Sequence, residues 1–333
     1  MSVPPHTSRN SFPLLKGVQL LAQTVIPTYQ DLMLPEQSKT LEGYDYNVYY
    51  PRGKAIHTIL LIYGMTISGE NDTRLLEFAF SCVRAGLKVV IPHLPGLSDY
   101  MIDAGDLARL HAVARDLTSG KPEKLGLVGF STGGSYALLL AADPLLREQI
   151  SPVLLFSPIY DVRDVFIRLH ATLVPHASIK ERDQLIWSQF VIAYRNRDLL
   201  KLSPYALRTI RIILTDFEAY DQDFKNLFFE TQIKGLNLSR RDDLVNEGPV
   251  LDDLSAKGQL ANVKSPVFIL HDQTDRVVPP QHSALIHQEL AARGNGFTQE
   301  ILITSILEHV EVKKLNLPRD VLQMAGFLSQ LFY

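Results

Sequence analysis

The sequence predicts an α/β protein in which helices cover both faces of one mostly parallel sheet. Short, almost wholly apolar runs alternate with stretches of helical periodicity, as strands and crossover helices do in such a sheet. The alternation stops near residue 160 and resumes near residue 264, so one insertion of about a hundred residues interrupts the sheet. The 333-residue chain is 46% hydrophobic and 21% charged, which is typical of a globular protein with a sizeable core.

Charge, cysteine content and hydropathy argue against several classes of protein. A net charge of -3 and a pI of about 6.4 give no electrostatic basis for binding nucleic acid or an anionic membrane. The single cysteine, Cys82, rules out an intrachain disulfide and fits a cytoplasmic protein. No apolar run approaches the roughly 18 to 20 residues of a membrane span, so no transmembrane segment is expected.

Residues 1–43 are expected to form an N-terminal segment that packs on the core. Its apolar stretch is split by Lys16, which argues against a targeting segment. A helix that packs on the core is favoured over one that lies on a membrane surface. The core then begins at residue 44 and runs to residue 159. An aromatic and β-branched alternation after Gly43 predicts an edge strand or hairpin, and the run from His57 to Gly64 predicts a fully buried strand.

The remaining core elements follow in regular alternation. A helix ends at Gly86, which is a suitable C-cap residue. The next elements up to residue 159 are strand LKVVIPHLPG, helix DAGDLARLHAVARDLTSG, strand KLGLVGF, helix GGSYALLLAADP and strand SPVLLFSPI. The second part of the core, residues 264–333, contains strand SPVFILHD, helix PPQHSALIHQELAARG, strand FTQEILIT and helix RDVLQMAGFLSQLF.

The stretch KLGLVGFSTGGSYALLL places Ser131 between Gly129 and Gly133, on a short turn from a buried strand to a helix. A G-x-S-x-G turn of this kind strains the serine and projects its oxygen clear of its neighbours. Glycines on either side are needed where strand and helix pass too close for a Cβ atom. The alternative is a tight glycine turn with a capping serine, which this placement makes the weaker interpretation.

With this turn the chain resembles the α/β-hydrolase superfamily, and the resemblance covers the sheet from about Asp45 to the C terminus. It implies a serine nucleophile, an acid and a histidine in that chain order. The family's acid follows a late strand in a pattern like H-G-x-x-D-x-x-V-P. Here HDQTDRVVPP places Asp275 at the acid position, while Asp272 stands where glycine is usual. Asp272 as the acid, and Asp275 as a cap of the following helix, are the alternatives.

The resemblance also assigns the base and the oxyanion hole. The family's histidine follows the last strand, where EILITSILEHVEV supplies His309. The two backbone N–H donors fall on Met65 and Thr132. Tyr63 stands where many members have histidine, and its hydroxyl could line the site or simply pack. The lack of an HGGG segment argues against the lipase and esterase branch that uses one.

These residues predict a serine hydrolase that cleaves a carboxylic ester, or a related acyl bond, of a small to medium, largely apolar molecule. Residues 160–263 occupy the slot of the family's helical lid or cap. Their many aromatic side chains would suit an apolar pocket, although most are expected to form the insertion's own core. No cofactor or metal is implied, since His282 and His287 are five residues apart rather than four.

Three alternatives remain open on the same residues. A carbon–carbon bond hydrolase and an acyltransferase could use the same triad. A catalytically weak ligand-binding protein could share the fold, because fold alone does not settle function.

Overall fold

The computed structural model describes most of the core and parts of the insertion. The described residues are 12–25, 36–41, 43–162, 164, 187–188, 190–198, 202–216, 219, 221, 224–225, 252–275, 277–294, 298–304, 307–308, 311–312 and 318–332.

Eight strands form one twisted sheet. They are β1 (Glu36–Leu41), β2 (Tyr44–Tyr49), β3 (His57–Ile62), β4 (Leu87–Pro92), β5 (Leu125–Phe130), β6 (Ile150–Phe156), β7 (Val267–Asp272) and β8 (Gln299–Thr304). The order across the sheet is β1-β2-β4-β3-β5-β6-β7-β8. Strands β1 and β2 pair antiparallel, as do β2 and β4, and every other pair is parallel. The mostly parallel sheet is therefore confirmed, and the alternation after Gly43 forms β2, which pairs with β1 in a hairpin.

Helices connect and cover these strands. They are α1 (Phe12–Val25), α2 (Thr73–Arg84), α3 (Pro95–Ser98), α4 (Ala104–Thr118), α5 (Thr132–Ala142), α6 (Pro204–Thr215), α7 (Gln281–Ala291) and α8 (Pro318–Ser329). A separate two-stranded ribbon pairs β9 (Leu307–Glu308) with β10 (Glu311–Val312). Gly86 has a φ of 104° just beyond the end of α2, which confirms its predicted capping role.

The central strands are buried on both faces. All six residues of β7 are buried, as are five of the six in β5, which explains why their sequences lack polar alternation. The fully buried Cys82 lies in this core, and burial raises the pKa of its thiol. Helix α1 packs mainly against α8 and also contacts α2. Strand β1 belongs to the sheet although it falls within residues 1–43.

This topology sets the location of a site. The parallel strands β3, β5, β6 and β7 are neighbours, so their carboxyl ends meet at one edge of the sheet, where ligands of such sheets bind. Between β6 and β7, described residues of the insertion form a second hydrophobic cluster around Phe190, separate from the main core. Among the described residues, no helix is long and apolar enough to cross a membrane.

Candidate active site

Ser131 occupies the turn between β5 and α5 in a strained conformation. Its φ of 51° and ψ of -120° lie outside the regions that non-glycine residues ordinarily adopt. Neighbouring backbone holds the turn, because Ser131 N–H donates to the Phe156 carbonyl at 2.8 Å and Gly134 N–H donates to the Ser131 carbonyl at 2.9 Å. Such strain costs on the order of 1–3 kcal/mol and persists only where the surroundings impose it.

The glycines around Ser131 are required by close approach. A Cβ atom on Gly129 would lie 2.6 Å from the Gly133 carbonyl oxygen, and one on Gly134 would lie 2.8 Å from the Pro158 side chain. A Cβ atom on Gly133 would overlap the carbonyl oxygen of Tyr63. The predicted reason for Gly129 and Gly133 is confirmed, and Gly134 is a third position that the G-x-S-x-G pattern does not include.

The loop after β3 passes directly beside the serine. A Cβ atom on Gly64 would lie 2.9 Å from Ser131 Cβ and 3.6 Å from Ser131 Oγ. Met65 follows in this loop, and Thr132 is the first residue of α5, where backbone N–H groups have no intrahelical partner. Neither the Met65 nor the Thr132 N–H donates a hydrogen bond to a described residue. Two backbone donors without such a bond therefore flank the Ser131 turn.

Asp275 lies on the loop after β7, with its side chain fully buried. Its Oδ1 accepts hydrogen bonds from the N–H groups of Val277 and Val278 at 2.8 and 2.9 Å. Helix α7 begins at Gln281, with Pro280 as its N-cap residue. Asp275 therefore shapes its own loop and does not cap the following helix.

The other oxygen of Asp275 faces a buried histidine that the sequence analysis did not single out. His271 Nε2 lies 3.3 Å from Asp275 Oδ2 and donates to the Val278 carbonyl at 2.8 Å. Its Nδ1 lies 2.5 Å from the hydroxyl of Ser283 on α7. One feature of the sequence could have pointed to His271: it begins the stretch HDQTD, four residues before Asp275. His271 thus links the acid loop to α7.

Asp272, the alternative acid, is also buried but has a local role. Its Oδ1 accepts hydrogen bonds from the N–H and the hydroxyl of Thr274 at 2.9 and 3.0 Å. This is a turn in which the carboxylate satisfies the backbone two residues ahead. The geometry accounts for an aspartate where the family's glycine is usual.

His309, the expected base, falls outside the described residues, between the short strands β9 and β10 in the chain. The structure brings the turn of Ser131, the loop of Met65 and the loop of Asp275 to the ends of β5, β3 and β7, on one edge of the sheet.

Tyr63 packs and does not line the site. Its side chain is buried, and its hydroxyl oxygen accepts a hydrogen bond from Leu94 N–H at 2.8 Å. The hydroxyl proton has the Leu94 carbonyl at 3.2 Å and Ser98 Oγ at 3.3 Å as acceptors. Burial raises the pKa of this phenol. The open question about this residue is resolved in favour of packing.

The aromatic residues of the insertion have several roles. Phe190 is fully buried in the insertion's own cluster, as expected for a core residue. Trp187 packs edge-on against Tyr100 with ring centroids 6.4 Å apart, while Tyr205 and Phe224 are exposed. Tyr194 is partly buried against the same cluster as Phe190. Five further aromatic residues of the insertion lie outside the described residues: Phe166, Phe217, Tyr220, Phe228 and Phe229. No three potential metal ligands cluster within the part of the chain that the structure describes.

Solved structures share this fold at low sequence identity. A hydrolase from Legionella pneumophila matches with a TM-score of 0.56 and 14% identity, over 96% of this chain and 95% of that one. Candida antarctica lipase A in its closed state matches with a TM-score of 0.52 and 16% identity, over 82% and 72% of the two chains. The Pyrococcus horikoshii acylaminoacyl peptidase matches with a TM-score of 0.48 and 14% identity, over 84% of this chain and 38% of that one.

The chain thus spans about two fifths of the length of the acylaminoacyl peptidases that it matches. No protein-family model matches the chain, and no curated protein matches it. Together with the sheet order, the matches to the Legionella hydrolase and to lipase A show that this chain has the α/β-hydrolase fold.

Proposed function

We propose that the chain is a serine hydrolase that cleaves a carboxylic ester of a small to medium, largely apolar substrate through an acyl-enzyme on Ser131. The observation that carries this proposal is the strained Ser131 turn beside the Gly64–Met65 loop. Strained non-glycine residues concentrate at functional sites, because only a packed surrounding can maintain them. A capping serine would need no positive φ, and Ser131 makes no side-chain capping bond to α5.

The mechanism assigns one task to each group. His309 accepts the proton of the Ser131 hydroxyl while the serine oxygen attacks the ester carbonyl, and Asp275 orients the imidazole. The N–H groups of Met65 and Thr132 stabilise the developing oxyanion. The alcohol leaves with the proton from His309. Water then attacks the acyl-enzyme and gives a proton to His309, which passes it to the Ser131 oxygen as the carboxylic acid is released.

Two features of the described residues support these roles. The Met65 and Thr132 amides have no hydrogen bond to a described residue that would compete with an oxyanion. The Asp275 carboxylate is buried and held by two backbone N–H groups, so it keeps a fixed position in a region of low polarity. The names of the matched structures, a hydrolase and a lipase, also support hydrolysis.

An apolar substrate is proposed from the many aromatic residues of the insertion. We further propose that residues 160–263 form a helical lid over this edge. The insertion's hydrophobic cluster includes Val278, which lies on the loop of Asp275, so the insertion contacts the proposed site.

The first test is labelling with a fluorophosphonate, measured by intact mass. Wild type is expected to gain one adduct and Ser131→Ala none. Ser135→Ala is the matched control: this buried serine lies one turn along α5 and donates to the Ile159 carbonyl, so its loss should leave labelling intact. Wild type that gains no adduct while remaining folded would contradict the proposal and favour a ligand-binding role. An added alcohol that raises ester yield would indicate an acyltransferase.

A further inference from the structure

The loop after β3 carries a proposed oxyanion donor, and Tyr63 fixes its start. The hydroxyl of Tyr63 is bound by the Leu94 N–H at 2.8 Å, so the side chain joins the carboxyl end of β3 to the residue that precedes α3. The backbone of the same residue packs against the nucleophile turn, since a Cβ atom on Gly133 would overlap the Tyr63 carbonyl oxygen. Tyr63 therefore contacts the turn of Ser131 with its backbone and α3 with its side chain.

The end of the same loop is tied to the same short helix. Thr66 N–H donates to the Leu97 carbonyl at 3.3 Å, and the Thr66 hydroxyl donates to Asp72 at 2.9 Å. Met65 lies between two residues, Tyr63 and Thr66, that are both anchored to α3. Its amide can therefore move little unless one of these anchors is released.

Helix α3 is itself a firm support. The carboxylate of Asp106 is fully buried and accepts hydrogen bonds from the N–H groups of Gly96 and Leu97 at 3.2 and 2.8 Å. A four-residue helix has little stability of its own, so this buried carboxylate fixes its position. The anchor of Tyr63 is thus a rigid part of the core.

We infer that Tyr63 is a positioning residue that sets the Met65 amide against Ser131 through its hydrogen bond to Leu94. This inference rests on the proposed function and adds a residue to it. An oxyanion donor acts only within a few tenths of an ångström of its optimal distance, so a loosened loop lowers the rate of the chemical step.

The test compares Tyr63→Phe with two controls. Tyr46→Phe also removes one hydroxyl from a buried tyrosine, but that hydroxyl donates to Asp116 at 2.9 Å, away from this loop. Ser98→Ala removes a secondary neighbour of the phenol and leaves the Leu94 bond in place. All three variants keep the ring or backbone that packs in the core.

Fluorophosphonate labelling is measured at several probe concentrations, to separate kinact for the covalent step from KI for the initial complex. Tyr63→Phe should lower kinact roughly ten- to a hundredfold and leave KI within about twofold, because the Met65 amide acts on the negative charge that develops on the phosphonyl oxygen as Ser131 attacks phosphorus. Both controls should keep wild-type kinact. A Tyr63→Phe variant with unchanged kinact, or with its loss confined to KI, would overturn the inference.

Hydrogen exchange at Thr66, whose N–H donates to the Leu97 carbonyl, gives a readout of the loop that needs no activity. The Thr66 amide should exchange at least about tenfold faster in Tyr63→Phe than in wild type and at the wild-type rate in Tyr46→Phe. Equal exchange in wild type and both tyrosine variants would refute the positioning role even if the protein hydrolyses nothing. Wild type that resists labelling would instead contradict the proposed function alone.

Discussion

Gly133→Ala tests the packing that presents Ser131. A Cβ atom at this position would lie 2.8 Å from the Ile62 carbonyl carbon and closer still to the oxygens of Ile62 and Tyr63. Ordinary contact would require these oxygens to recede by about 1 Å, and they belong to the backbone of a buried strand. Helix α5 and strand β3 would therefore have to separate.

The expected cost follows from that overlap. Overpacking of a core costs about 1–3 kcal/mol, and the gain in helix propensity from glycine to alanine is at most about 1 kcal/mol. Gly326→Ala is the matched control, because Gly326 is also helical and a Cβ atom there would have no neighbour within 4 Å. Gly326→Ala should be neutral or stabilising, and the two variants should differ by about 1–3 kcal/mol, because the gain in helix propensity is common to both.

Urea unfolding measures this difference, provided that the slope m is the same for all proteins. Because the overlap lies between the turn of Ser131 and the loop of Met65, Gly133→Ala should also lower kcat/KM for a p-nitrophenyl ester roughly a hundredfold. Gly326→Ala should retain wild-type activity. If Gly133→Ala were as stable and as active as Gly326→Ala, the close packing of α5 on β3 would not require glycine at position 133.

Three further predictions concern charged groups. Asp275→Asn should lower turnover sharply, whereas Asp272→Asn should affect it little; the reverse result would identify Asp272 as the acid. If His309 is the base, kcat/KM should fall below a pH of about 6.5, and a flat profile from pH 5 to 8 would count against it. For Asp72, burial alone would raise the pKa, but hydrogen bonds and charge from Arg74 lower it to about 2. The stability that this carboxylate contributes should be present above about pH 4 and be lost toward pH 2, and thermal unfolding of Asp72→Asn should lack that step.

The sequence predicted the buried part of the fold well, because burial leaves a strong local pattern. Runs that are mostly apolar marked β3, β5 and β7, and none of these strands lies at an edge of the sheet. It did not predict β1, whose residues EQSKTL have no apolar alternation. That strand lies at the exposed edge of the sheet and is stabilised by pairing with β2, including a hydrogen bond from Ser38 Oγ to Asn47 Oδ1 at 2.9 Å.

In the candidate site, too, local motifs could be predicted from the sequence and long-range contacts could not. The positions of Ser131 and Asp275 are set by short motifs, so the sequence could propose them, and His309 remains a prediction. The contacts of Tyr63 could not be read from the sequence, because its partner Leu94 lies 31 residues away on another loop. Likewise, the contact of His271 with Ser283 depends on how α7 packs on the sheet.

These long-range contacts have a common arrangement. Two loops that carry proposed catalytic groups are each held by a buried polar side chain that has no proposed role in the reaction itself: Tyr63 holds the loop of Met65, and His271 holds the loop of Asp275. A buried polar group that loses its partner costs about 1–3 kcal/mol, so these bonds resist displacement of the loops. Preorganised donors need no rearrangement during the reaction. In the proposed mechanism the motifs therefore supply the reacting groups, while supporting side chains such as Tyr63 and His271 hold these groups at the distances that catalysis requires.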